Sequence, residues 1–106
     1  MITELSTSKD VVLIGYLGAY QTLWANHASN PFEKFSTFTK GKKNLEKSIA
    51  MDSQNIEMRI LRLSVQKNAP GFLGYKANIR EDRDFILKNK LLETDEDVQN
   101  LIKRVL

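Results

Sequence analysis

The chain has no cysteine, only two prolines and a single histidine among its 106 residues. Without cysteine it forms no disulfide and has no thiolate to act as nucleophile or metal ligand. Its longest apolar run, 11–20, is about ten residues long, well short of the ~18 that span a bilayer, so no membrane span is predicted. The N-terminal segment lacks the basic region and apolar stretch of a signal peptide.

The remaining composition is that of an ordinary folded domain. Hydrophobic residues make up 42% and charged residues 27% of the chain, both near the globular average. A chain of 106 residues is long enough to bury a core. We therefore expect a single domain over residues 1–106, with 1–8 as a flexible N-terminus. The net charge of +3 is a weak indication of a nucleic-acid partner.

Apolar spacing predicts five helices and no strand, since no segment alternates with a period of two residues. The predicted helices cover about 9–28, 31–51, 53–67 and 78–91, and the last begins after residue 94. Four of the starts have an N-cap residue with an acid three positions later: Thr7 with Asp10, Asn30 with Glu33, Asn78 with Glu81, and Thr94 with Asp97. The expected fold class is all-α, with antiparallel helical hairpins stacked on one another.

The first predicted helix separates large and small side chains onto opposite faces. The large face carries Leu13, Tyr16, Leu17, Tyr20, Leu23, Trp24 and His27, and the small face carries Gly15, Gly18, Thr22 and Ala25. Each glycine inside a helix costs roughly 1 kcal/mol relative to alanine, so close packing of another backbone is expected on the small face. Both faces are expected to be covered by other parts of the protein.

The third predicted helix is apolar on two opposite sides. One side carries Ile56, Ile60 and Leu63, and the other carries Met58, Leu61 and Val65. Such a helix must lie between two neighbours, as in stacked helical hairpins. The second helix supplies one stripe (Phe32, Phe35, Phe38, Lys42, Leu45 and Ile49), and the fifth supplies a capping stripe (Val98, Leu101, Ile102 and Val105).

The segment KGKKNLEKSIAMDSQN, residues 40–55, resembles the second helix and turn of a tetratricopeptide repeat (TPR). Gly41, Leu45 and Ser48 match its small, large and small positions, and 52–55 matches its turn, with serine in place of proline. Ile14, Leu17 and Gly18 resemble the first-helix signature, although the expected aromatic position is Gln21. The distance from Gly18 to Gly41 is about eleven residues longer than a 34-residue repeat allows, so the resemblance implies TPR-like hairpins with longer helices.

Residues 30–43 (NPFEKFSTFTKGKK) and 56–75 (IEMRILRLSVQKNAPGFLGY) together resemble a family of small uncharacterised bacterial helical proteins. Longer members of that family tend to carry an export signal ahead of this region. The resemblance therefore implies that the chain is part of an exported, periplasmic protein, with a cytoplasmic protein as the alternative. It implies no activity.

The strongest candidate binding site is a polar strip on the third helix formed by Arg59, Arg62 and Gln66. In a helical stack, paired arginines on an inner helix can dock a carboxylate or a peptide terminus. The alternative is an internal ion-pair network with acids such as Glu57, Asp82 or Asp84.

Two further surfaces are candidates. Phe72, Leu73 and Tyr75 lie in an unusually apolar loop, which forms either an exposed recognition patch or a plug folded against the end of the stack. Lys40, Lys43 and Lys47 form a basic stripe that either meets phosphates or is simply a solvated face near Glu46.

Catalytic chemistry is not indicated. No nucleophile elbow or phosphate-binding loop occurs. His27 has no second ligand or base placed beside it by sequence, and Glu81, Asp82 and Asp84 fit a solvated first turn better than a metal site. We expect no enzyme activity, cofactor or metal.

These observations favour a non-enzymatic interaction module whose partner is a protein, a peptide or a second copy of the chain. Polyanion binding through the lysines is the alternative. A hydrolase or transferase that uses His27 with a carboxylate is the third hypothesis.

Overall fold

A computed structural model describes residues 2–28, 30–90 and 95–106, without the side chains of 2–9 and of Phe72. These described residues form five α-helices: α1 (Ile2–Trp24), α2 (Pro31–Met51), α3 (Ile56–Asn68), α4 (Ile79–Asn89) and α5 (Glu96–Val105). Short 3-10 turns lie at Ala25–His27 and Gly71–Leu73. These ranges contain no strand, so the prediction of an all-α chain is confirmed.

The predicted limits of α2 are correct at both ends. The side chain of Asn30 accepts a hydrogen bond from the backbone N–H of Glu33 at 2.8 Å, and Pro31 occupies the first turn, where its missing N–H leaves no bond unmade. At the other end, the backbone N–H of Asp52 donates to Ser48 at 3.1 Å.

The other helix starts differ from the prediction. α1 already begins at Ile2, seven residues before Lys9. α3 begins later than Ser53, because the Asn55 side chain accepts from the N–H of Met58 at 3.3 Å and sets the first turn at Ile56.

The starts of α4 and α5 also differ in their caps. Asn78 lies at the predicted position, but its side chain donates to Glu81 at 2.7 Å and makes no cap bond. α5 is capped by Asp95, which accepts from two backbone N–H groups. The predicted cap Thr94 and the predicted end of the fourth helix at Leu91 lie outside the described residues.

Helices α1 and α2 pack through their small residues with almost no side chain between the two backbones. A methyl group added to Gly18 would lie 2.6 Å from the carbonyl oxygen of Gly41, and one added to Gly41 would lie 2.5 Å from that of Gly18. The amide of Asn44 donates to Gln21 at 2.7 Å beside this contact. The prediction that another backbone approaches the small face of α1 is therefore correct.

Helix α3 lies between two groups of buried apolar side chains. On one side, Ile60 and Leu63 pack with Ile86 of α4 and with Ile102 and Val105 of α5. On the other side, Met58, Leu61 and Val65 pack against residues of α1, the 3-10 turn that follows it, α2 and the segment after α3, namely Val11, Ala25, Phe38, Leu45, Ile49 and Tyr75. The central position predicted for this helix is therefore observed.

The prediction that both faces of α1 are covered is wrong. The small face packs on α2, and the large face is mostly exposed, with contacts only at its edges, such as the bond from Tyr16 to Glu57 of α3. Leu13, Leu23 and Trp24 are 66%, 64% and 56% exposed. The predicted stripe of α2 is also only partly internal, since Phe38, Leu45 and Ile49 are buried whereas Phe32 is 90% and Phe35 57% exposed.

Candidate functional site

The predicted polar strip of α3 is an internal network. Arg59 and Arg62 are 8% and 4% exposed, and both bind Asp82 of α4, which is fully buried. Arg62 donates from Nη2 to Asp82 Oδ1 at 2.6 Å and from Nε to Oδ2 at 2.7 Å, while Arg59 Nη1 donates to Oδ1 at 3.1 Å. Gln66 adds a bond to Asp82 Oδ2 at 2.9 Å. Of the three acids named as alternatives, Asp82 is the one these guanidinium groups bind.

Two further acids extend the network. Arg62 also pairs with Glu46 of α2 at 3.0 Å and with Glu81 at 3.4 Å. Burial opposes the charge on Arg62, but its bonds to Asp82 and the charges of Asp82 and Glu46 raise its pKa above the ordinary value. The bond from Asn78, and then the nearby positive charges, lower the pKa of Glu81. The network joins α2, α3 and α4.

The reading of Glu81, Asp82 and Asp84 as one solvated turn is wrong for Asp82. Glu81 and Asp84 are exposed, but Asp82 points inward. The amide of Gln66 also accepts from the backbone N–H of Asn78 at 2.8 Å, so the same polar cluster holds the start of α4. Every buried side-chain polar atom in the described ranges has a partner. The geometry is that of a clamp between helices.

The loop after α3 folds inward where it is described. Tyr75 is 3% exposed and packs edge-on against Phe38, with ring centroids 6.0 Å apart. Its hydroxyl donates to Glu46 at 2.5 Å, and burial together with that carboxylate raises the pKa of Tyr75 well above its ordinary value. Leu73 packs against the same apolar group. The side chain of Phe72 lies outside the described residues.

The remaining predicted site residues are at the surface. Lys40, Lys43 and Lys47 are all exposed on α2, and no ion pair involves them within the part of the chain that the structure describes. His27 is exposed and lies against Trp24, with ring centroids 5.3 Å apart. Glu46, expected beside the lysines, points to Arg62 instead.

The surface that the sequence pattern assigns to the core is the large face of α1. We define the outward stripe as the six exposed apolar and aromatic side chains of this face: Leu13, Tyr16, Leu17, Tyr20, Leu23 and Trp24, which are 41% to 66% exposed. Taking about 200 Å² for a fully exposed large side chain, the stripe presents about 700 Å². The largest apolar patch of a typical monomer is about 300–600 Å², so the exposed area of the stripe exceeds that range.

Two rings of the stripe stack on each other, and Tyr16 at one edge of the stripe is hydrogen-bonded to α3. The rings of Tyr20 and Trp24 stack at 6.0 Å with an angle of 12° between planes. Tyr16 donates its hydroxyl proton to Glu57 of α3. Burial, followed by this bond and the carboxylate charge, raises the pKa of Tyr16 to about 12.

The neighbourhood of the stripe is apolar at one end and carries isolated charges. Phe32 and Phe35 of α2 follow the turn after α1 and are exposed. Lys40 lines the same shallow cavity as Trp24 and His27. No Asp, Glu, Lys or Arg occurs between Val11 and Phe32, so the stripe itself is uncharged. The sequence contains no signal that this face is external, because an uncharged helix side is more typical of the core.

Other kinds of site find little support in the geometry. Within the described ranges, no three His, Asp or Glu side chains converge as metal ligands. None of the helices in those ranges combines the length and apolarity required to cross a bilayer. No protein-family model, curated protein or solved structure is similar enough to the chain to count as a match.

Proposed function

We propose that the chain is a non-enzymatic protein-interaction module whose contact surface is the outward stripe of α1. The supporting observation is about 700 Å² of contiguous apolar and aromatic surface on a helix whose opposite face already packs on α2. Leaving this surface in water is unfavourable by about 25 cal/mol per Å². A protein surface that covers it recovers that free energy.

We place the predicted binding residues of α3 in a supporting role. A partner carboxylate would have to displace Asp82 from Arg59 and Arg62, and both guanidinium groups are already buried. Leu73 and Tyr75 are also placed in a supporting role, because they pack on the core. In the proposal these residues fix α3 and α4 behind the hairpin that presents the stripe.

The architecture we propose is TPR-like, with α1–α2 and α3–α4 as two stacked hairpins and α5 as the cap. The pairs α1–α2 and α3–α4 have the most extensive helix–helix contacts, and α5 packs on α3 through Ile102 and Val105. An experimentally determined structure with a different pairing of these helices would contradict this part of the proposal.

The function is tested by affinity capture of proteins, with the immobilised wild-type chain and two variants of it as baits. The double variant Leu17→Glu/Trp24→Glu places two charges on the stripe at positions that are exposed, so the fold is retained. The control Leu87→Glu adds a charge at another exposed leucine, 42% accessible, on α4. Proteins retained by the wild type and the control but lost with the double variant support the function. Equal retention by all three baits, together with unchanged self-association of the double variant, contradicts it.

A second candidate function is polyanion binding through Lys40, Lys43 and Lys47. All three lysines are exposed on one helix, without an ion pair in the described part of the chain. Binding to phosphates would release counterions and weaken steeply with salt. Fluorescence anisotropy with labelled single-stranded and duplex oligonucleotides at low and high salt tests this function. Absence of binding at low salt excludes it.

A further inference from the structure

The outward stripe has the spacing of a helix–helix seam. Within α1, Leu13, Leu17, Tyr20 and Trp24 follow one another at intervals of four, three and four residues. This is the repeat by which two helices pack side by side with interlocking side chains. The seam points away from α2, because the small residues on the opposite face make that contact. The stripe therefore matches another helix in spacing as well as in polarity.

The area of the stripe is that of one side of a stable dimer. A standard interface buries about 800 Å² on each partner, and the stripe alone presents about 700 Å². Phe32 and Phe35 at the adjacent end of α2 add exposed apolar surface. A single additional helix from another subunit covers such a surface.

Charge around the stripe favours a second copy in the antiparallel orientation. The end near Leu13 is bordered by Asp10 and by Glu57, which holds Tyr16. The end near Trp24 is bordered by both Lys40 and Glu33, which line one cavity with it, so it has no net acidic charge. A two-fold axis near Tyr20 brings the acidic end of each copy to this lysine-containing end of the other, whereas a parallel pair would place the two acidic ends together.

Side-chain size favours the same orientation. With the axis near Tyr20, Trp24 of one copy meets the region of Tyr16 and Leu17 of the other, so a large side chain faces a smaller one. In a parallel pair the two indoles would meet each other. The seam itself carries no charge between Val11 and Phe32, so it can face its own copy without repulsion.

We propose that the outward stripe packs antiparallel against the outward stripe of a second copy, forming a symmetric dimer about an axis near Tyr20. This inference rests on the proposed function and names the partner of the same surface. It uses no residue of the buried network on α3.

The oligomeric state is tested by size-exclusion chromatography with light scattering and by sedimentation equilibrium. We expect the wild type and Leu87→Glu to have twice the 12.2 kDa mass of the chain. We expect Leu17→Glu/Trp24→Glu to raise the dimer dissociation constant at least about 100-fold. Circular dichroism of the variant should show unchanged helicity. A monomeric wild type, or a double variant that still dimerises, overturns the proposal.

The orientation is tested with introduced cysteines. Because the chain has no cysteine of its own, any disulfide that forms must join the introduced residues. Tyr20→Cys, on the axis, should form a disulfide-linked dimer on mild oxidation. Leu13→Cys should not, because its two copies would lie about 20 Å apart along the helices, beyond disulfide reach. Efficient linkage through Leu13→Cys, or failure of Tyr20→Cys to link, overturns the antiparallel arrangement.

The same variants separate failure of this inference from failure of the proposed function. A monomeric wild type that retains a different protein, lost only with Leu17→Glu/Trp24→Glu, overturns self-association and preserves the interaction function. A monomeric wild type that binds vesicles of zwitterionic and anionic phospholipid through the stripe, and retains no protein, overturns both.

Discussion

At the scale of single residues, Asp82 carries the largest structural role. Its carboxylate is fully enclosed and accepts hydrogen bonds from Arg59, Arg62 and Gln66. A buried charge is tolerated only when it is paired and hydrogen-bonded, because the interior cannot replace water around it. Removing the acid would leave two guanidinium groups in the interior with only Glu46 and Glu81 at the rim.

We predict that Asp82→Asn lowers the free energy of unfolding by about 3–5 kcal/mol at neutral pH, because the amide keeps the shape but not the charge. Urea unfolding followed by circular dichroism measures the loss. Asp84→Asn on the same helix is the matched control, since Asp84 is exposed, and should change stability by less than about 0.5 kcal/mol. Equal stability of the two variants would show that the network contributes nothing.

Tyr16 gives a prediction that depends on pH. Its folded pKa of about 12 lies above the ordinary 10.0, so the protonated phenol is the form that folding favours. Its contribution to stability is therefore complete below about pH 10 and is lost as the pH rises through about 12. Glu57→Gln should lower the pKa of Tyr16, because it removes the carboxylate charge beside the phenol.

A tyrosine titration followed by NMR, with Tyr16→Phe to assign the signal, measures this shift. Glu96→Gln on α5 is the control, because this exposed acid lies on a helix that does not contact Tyr16. An unchanged Tyr16 titration in Glu57→Gln would contradict the assigned hydrogen bond.

The sequence predicted part of the residue-scale picture. Helical spacing places Arg59, Arg62 and Gln66 on one strip, and Asp82 is among the acids that it names as internal partners. It does not identify Glu46 as a partner, because it places Glu46 near the solvated lysines of α2 and not against Arg62. Local spacing contains no information on how two helices are set against each other.

At the scale of helices, the contact between α1 and α2 decides which face of α1 is internal. Apolar periodicity shows which residues share a face, and it assigns the larger side chains to the core by default. Here the opposite face of small residues makes the internal contact, because Gly18 and Gly41 allow the two backbones to touch. The limits of α2 were predictable because Asn30 and Pro31 act locally, whereas the orientation of α1 depends on its neighbour.

We predict that Gly41→Ala destabilises the fold by about 1–3 kcal/mol, although alanine favours helix by about 1 kcal/mol. The added methyl group would lie 2.5 Å from the Gly18 carbonyl oxygen and 2.8 Å from Thr22, and a backbone atom cannot move aside cheaply. Thermal and urea unfolding measure the change.

Two glycines serve as controls for this prediction. Gly71→Ala meets no atom within 4 Å and should be nearly neutral. Gly15→Ala should be intermediate, because it meets the end of the flexible Met58 side chain. A stabilised Gly41→Ala variant would show that the helices separate readily at this point.

At the scale of the whole molecule, α3 holds the described helices together. It contacts α4 and α5 on one side and α1 and α2 on the other, and its polar strip adds the clamp to Asp82. α5 packs through a single stripe containing Ile102 and Val105. Opening of α5 therefore breaks few contacts, whereas opening of α3 requires the loss of both apolar groups.

We predict that backbone amides of α3 exchange with solvent most slowly and those of α5 most rapidly among the described helices. Exchange from the central helix requires global unfolding, while the terminal helix opens locally. Hydrogen–deuterium exchange with mass spectrometry at neutral pH measures the order. Ile102→Ala should accelerate exchange in α5 well before it affects α3. Equal protection of the two helices would contradict this division.

Trp24 is the only tryptophan of the chain, and it lies on the outward stripe with 56% of its surface exposed. The tryptophan fluorescence of the protein therefore comes from the surface that we propose for binding, without a second indole to obscure it. Any occupant that covers the stripe should move the emission to shorter wavelength and protect it from a soluble quencher. The unlabelled protein thus contains its own optical sensor of occupancy, and dilution alone can reveal whether the occupant is another copy.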